Sequence, residues 1–149
     1  MCPLRTPDRI YGRRPWVLGI GRNEHIAFNK PGSSRHSKTR KMTLILDTID
    51  ANARFLASRD GAPTEALSVR ISTVLDHGKD IILLATGMSK AQAVAIALLG
   101  PISGRIPASH VREHDHCTFY LDQLAATTYR QVAQEKGCPD YVQVLQADS

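Results

Sequence analysis

Residues 80–101 read DIILLATGMSKAQAVAIALLGP, and this stretch decides the fold class. Asp80 to Ala85 is the clearest strand in the chain, a continuous apolar run of the kind that a buried parallel strand shows. Thr86-Gly87-Met88-Ser89 turns the chain, and Lys90 to Leu99 is a strongly apolar helix closed by Gly100-Pro101. Strand, turn and helix in this order are half of a parallel crossover unit.

Working outward, Trp16 to Ile20 (WVLGI) is a second short apolar run that stops at Gly21, and Cys117 to Leu121 reads as a third strand. Ile49, Ala53 and Leu56, with Phe55 beside them, carry helical spacing from Asp47 to near Asp60-Gly61, with Asp47-Thr48 offering cap chemistry. Leu67–Ile71 is read as extended, Thr73–His77 as a weaker helix, Pro107–Glu113 as one more short helix and Leu124–Glu135 as a terminal helix. Residues 21–43 read as a long polar loop, a length that is usually functional or disordered. The alternation predicts an α/β fold, a partial Rossmann-like parallel sheet with flanking helices. Residues 1–14 read as an irregular basic arm, 15–126 as a partial domain and 127–149 as a terminal helix and tail.

The 149 residues allow one domain at most, and 42% apolar with 22% charged is an ordinary globular mix. No apolar run reaches the roughly 18–20 residues of a membrane span, and MCPLRTPDRI lacks a signal-peptide core, so a cytoplasmic protein is expected. Cys2, Cys117 and Cys138 are odd in number and lack C-x-x-C spacing, which supports neither a disulfide framework nor a zinc ribbon. The net charge of +5 is uneven: residues 1–41 hold ten Lys/Arg against Asp8 and Glu24, a local +8. That imbalance points to an anionic partner, either nucleic acid or the phosphate of a small substrate. Without interleaved aromatics or a recognition helix, nucleic acid is the less favoured of the two.

Open α/β sheets bind ligands at the carboxyl ends of their strands, which selects two junctions. The first is Gly19-Ile20-Gly21 followed by His25, an acid/base candidate by position. The second is Ser89-Lys90, where free N–H groups, a helix dipole and an ammonium together suit an anion. Each has a plainer reading, as turn glycines and as a solvated lysine after a cap. Arg54, on the helix after Asp47-Thr48, can reach a phosphate or simply face water. His110, His114 and His116 lack an evident fourth ligand, so no metal is expected.

Read together, these fragments become specific. GIGRNEHIAFNKPGSS (19–34) resembles the glucosamine-6-phosphate deaminase signature G-x-G-x-D-G-H-I-A-F-N-E-P-G-S. DTIDANAR (47–54), ALSVRISTVLD (66–76), GMSKAQAV (87–94) and IPASHVREH (106–114) resemble further segments of that family in order. HIAFN separates the chain from the related 6-phosphogluconolactonases. The resemblance covers residues 11–126 and corresponds to about the carboxyl-terminal half of such an enzyme. It implies conversion of glucosamine 6-phosphate and water to fructose 6-phosphate and ammonia, with no organic cofactor. It further implies that His25 belongs to a ring-opening set, that Arg54, Lys90 and Gly21 hold the substrate phosphate, and that residues 44 to about 65 form a lid. Ser33, Arg40 and Thr43 match positions that bind an allosteric sugar phosphate in some members, with Met42 where those have lysine.

The chain also departs from the pattern. Asn23 and Lys30 stand where the family has its two ring-opening carboxylates, and Glu24 and Arg70 stand where it has glycine. A carboxylate beside histidine raises its basicity; asparagine cannot supply that charge and lysine reverses it. The initial strand, the Ser/Gly/Thr-rich phosphate loop and the aspartate base of the family find no counterpart here. The expectation is impaired turnover or a non-catalytic sugar-phosphate-binding or regulatory subunit. A truncated product, a displaced start, or a half-domain completed by self-association or a partner chain would each account for it.

Overall fold

The computed structural model describes residues 15–53, 61–137 and 139. In chain order the elements are β1 (Pro15–Gly19), β2 (Arg40–Thr43), α1 (Leu46–Ala53), β3 (Glu65–Ser68), α2 (Ile71–His77), β4 (Asp80–Ala85), α3 (Ala91–Leu99), β5 (Cys117–Leu121) and α4 (Thr127–Lys136). Two 3-10 turns, Met88–Lys90 and Pro107–Glu113, precede α3 and β5. The expected continuation of α1 toward Asp60 falls outside the described residues, as do the basic arm, Cys2 and Cys138.

β4 lies between β1 and β5 and is parallel to both, with Leu18 opposite Leu83 and Leu83 opposite Phe119. Side chains alternate across a strand, so the pairing sorts them into two faces. Ile81 and Leu83 are fully buried on one face, beside Leu18, Phe119 and Leu121. Burying each such side chain stabilises the fold by about 1.5–3 kcal/mol. The other face leaves Val17 59%, Leu84 45% and Tyr120 38% exposed. A parallel sheet ordinarily has both faces covered; among the described residues only one face of this sheet is.

The covered face packs against α2, α3, the 3-10 turn at Pro107–Glu113 and Tyr129 of α4. α3 (AQAVAIALL) lies close because Ala91, Ala93, Ala95 and Ala97 present little bulk, with Val94 and Leu98 filling the gaps. Its last carbonyls are satisfied by Arg112, whose Nη1 donates to Leu98 O at 2.6 Å and Nη2 to Gly100 O at 2.6 Å. Cys117 lies against the same core, where burial pushes its thiol pKa up to about 12.

The 21–43 stretch is not all loop. Arg40–Thr43 forms β2 and pairs antiparallel with β3, Met42 opposite Ala66 and Lys41 opposite Leu67. Met42 is buried while Lys41 and Thr43 are exposed, a period-two pattern that the flanking positive charges conceal. Arg70 needs no glycine geometry: its backbone is extended (φ −69°) and its Nε donates to Thr73 Oγ1 at 2.7 Å at the start of α2. Arg35 ties the intervening loop down through Glu113 at 2.7 Å, and Glu113 also meets His110 Nδ1 at 3.0 Å. No helix among the described residues is long and apolar enough to cross a membrane.

Candidate functional site

β1 delivers the chain to the carboxyl edge of the sheet at Ile20, and the next residues fold straight back. Gly21 N–H donates to His25 O at 2.9 Å, and Glu24 N–H donates to Gly21 O at 3.1 Å. This tight return lays the His25 ring directly over Gly21, where a Cβ would overlap Nδ1. Ile26 is fully buried beneath the loop, and the buried Asn29 fixes its far end by donating from Nδ2 to Val69 O at 2.8 Å. The return demands positive φ at two residues that are not glycine, Glu24 (φ 60°) and Ala27 (φ 49°). Left-handed backbone costs an L-residue roughly 1–2 kcal/mol. Ala108 N–H, donating to Glu24 O at 2.9 Å, helps to hold the strained peptide.

Asn23 accepts a hydrogen bond from His25 Nδ1–H at 2.6 Å, which leaves the Nε2 lone pair as the basic site. Burial first, and the Lys90 ammonium second, push the His25 pKa below its ordinary 6.5, so the ring is held neutral. Lys90 comes from the opposite junction, at the end of the 3-10 turn after β4, and its Nζ donates to Ile20 O at 2.7 Å. Between them lies a cavity of about 250 Å³ lined by Gly19, Ile20, Gly21, Arg22, Asn23, His25, Ala27, Thr48 and Lys90. The arrangement can receive an anion at Lys90 and Arg22 and exchange a proton at His25.

The structure thus gathers Gly21, Asn23, His25 and Lys90 into one site. Lys30 is not in that lining; it sits on the Lys30–Ser33 turn, where its carbonyl accepts Ser33 N–H at 3.0 Å. Arg54 lies outside the described residues. Ser33 and Arg40 meet elsewhere, Arg40 Nη2 donating to Ser33 Oγ at 3.0 Å, and Nη1 donates to Ser37 Oγ at 2.7 Å. Thr43 is exposed at the end of β2, away from that cluster's hydrogen bonds, and Met42 is buried. His114 Nε2–H donates to Gly78 O at 2.9 Å and its Nδ1 accepts from His116 N at 3.1 Å, so both nitrogens serve the backbone. No three His, Cys, Asp or Glu side chains converge among the described residues.

Sequence reasoning missed three lining residues. The sequence offers Thr48 only as cap chemistry, although in the first turn of α1 it lines the same cavity. Ala27 is invisible as a site residue because its contribution is its backbone conformation. Arg22 follows G-x-G directly and carries a charge, a signal that was available.

No protein-family model matches the chain. It is 47% identical over 121 residues to "Glucosamine-6-phosphate deaminase 2" of Giardia intestinalis, a match covering 80% of this chain and 46% of that protein. A solved structure of a monomeric glucosamine-6-phosphate deaminase superposes with a TM-score of 0.72 at 46% identity, over 76% of this chain and 47% of the other. The 6-phosphogluconolactonase of Leishmania guyanensis shares the fold at a TM-score of 0.54 and 20% identity, over 80% of this chain and 46% of that one. The chain spans about half the length of the relatives it matches.

Proposed function

The chain is a homologue of the glucosamine-6-phosphate deaminases, of which it spans about half, and from that premise we propose that it is a deaminase-like protein of carbohydrate metabolism that binds glucosamine 6-phosphate or a similar sugar phosphate. The observation that carries this reading is the meeting of His25 and Lys90 from two strand ends across one cavity. Lys90 and Arg22 would hold the phosphate, joined by Arg54. His25 Nε2 would then move the proton that opens the sugar ring, the first step towards fructose 6-phosphate and ammonia. This reading places the protein in the cytoplasm, needs no organic cofactor, and has substrate rather than nucleic acid as the anionic partner.

Two observations favour a weakened or non-catalytic version. Asn23 beside His25 is uncharged, and the described lining holds no carboxylate to raise the basicity of the ring. The exposed face of Val17, Leu84 and Tyr120 also fits completion by a second polypeptide, or a second copy of this chain, covering the sheet.

Calorimetry with glucosamine 6-phosphate tests binding: Lys90→Ala should weaken it at least tenfold, and equal affinity in the variant would reject the assignment. An ammonia-release assay separates the two versions. Turnover equal to that of an intact relative would discard the impaired reading.

A further inference from the structure

We infer that Asp122, just past the end of β5, is a positioning residue that sets Lys90 against the His25 loop by clamping the turn between β4 and α3. Its two carboxylate oxygens serve two different backbones. Oδ2 accepts Gly87 N–H at 2.9 Å, and Oδ1 accepts Ala125 N–H at 2.7 Å. Its own N–H reaches Ala85 O at 3.3 Å. The side chain therefore joins the turn after β4 to the approach to α4, and the backbone of the same residue reaches the last residue of β4.

The turn needs such a clamp. Gly87 has φ 85° and ψ 153°, a backbone conformation that few residues other than glycine adopt, and the space where its Cβ would stand is open. Neither the 3-10 turn nor α3 carries a side-chain cap of its own. From Gly87 the path to the cavity is short: Lys90 N–H donates to Gly87 O at 3.0 Å, and Lys90 Nζ donates to Ile20 O at 2.7 Å. Ile20 O belongs to the strand end that launches the His25 return. Asp122 thus ties β5 through Gly87 and Lys90 to β1, and both cavity walls depend on it.

The inference rests on the site described above, not on what the site binds, and its test needs no ligand. Burial depresses the His25 titration most and the Lys90 ammonium adds to it, so the part of the shift that Lys90→Met removes reports where Lys90 stands. Imidazole NMR titrations of the full chain are compared for the wild type, Asp122→Ala, Lys90→Met and the double variant. Asp122→Ala should raise the His25 midpoint in the same direction as Lys90→Met, and the double variant should rise no further than Lys90→Met alone. If Asp122→Ala does not fold, Asp122→Asn takes its place, because it keeps the shape and turns one acceptor into a donor. Val111→Ala destabilises the same core from a distance and should leave the midpoint unmoved. An unmoved midpoint in the folded Asp122 variant, additive shifts in the double variant, or an equal shift from Val111→Ala would each overturn the inference.

Discussion

The two strand ends that wall the cavity are built on opposite principles. After β4 the chain uses regular parts, a short 3-10 turn running directly into α3. After β1 it uses an irregular return with one Gly21–His25 and one Glu24–Gly21 hydrogen bond, a buried Ile26 and two non-glycine residues of positive φ. Each junction contains a glycine, for different reasons. Gly87 has open space around it and an unusual φ; Gly21 is filled to its edge by the His25 ring. One glycine is required by the backbone, and the other by what lies on top of it.

Substitutions can break this contrast. Gly21→Ala should have the largest effect, since its Cβ cannot coexist with the His25 ring. We expect a loss of about 2–3 kcal/mol by chemical denaturation, together with loss of the His25–Asn23 bond in imidazole NMR. Gly87→Ala meets no atoms and should cost about 1–3 kcal/mol from backbone strain alone, leaving the His25 signals nearly in place. Glu24→Gly should instead stabilise the protein by about 1 kcal/mol, because it relieves φ 60°. Burial also raises the Glu24 pKa above 4.5, so that gain should shrink as the pH falls towards 4.5 and the ionised acid disappears from both states.

The smallest effect sharpens the comparison by charge. His25 is neutral in the fold with its pKa lowered from 6.5, so stability should fall as the pH drops below 6.5 and the unfolded chain takes up protons first. Asn23→Asp places a carboxylate on the same ring nitrogen. The His25 midpoint should rise and the acid-side loss of stability should diminish, both readable by NMR titration and by denaturation at pH 7.5 and 5.5.

The same contrast separates what was legible in the sequence from what was not. The regular junction was open to inspection: DIILLA, the turn and KAQAVAIALL occupy nearly the residues foreseen, because apolar runs of these lengths have few other folded states. At the irregular junction, position after a strand singled out Gly21 and His25, whereas Asn23 entered only through resemblance. Periodicity carries no information about a loop whose shape depends on His25 stacking on Gly21 and Asn29 reaching Val69 forty residues away. β2 was hidden for a related reason, since a single buried Met42 between charged neighbours gives too short a pattern to stand out. Asp122 was overlooked because an acid after a strand looks like any turn residue until both oxygens are seen to be engaged.

Cys117 extends the argument into time. Its thiol sits on the covered face of the sheet with its pKa pushed up to about 12, so almost none of it is the thiolate that reacts with alkylating agents. Its reactivity should rise when β5 parts from the helices above it and the thiol loses that burial. Peptide-resolved alkylation of Cys117 therefore works as a clock for the opening of the half-covered sheet, and a partner that covers Val17, Leu84 and Tyr120 would slow it without touching the sulfur.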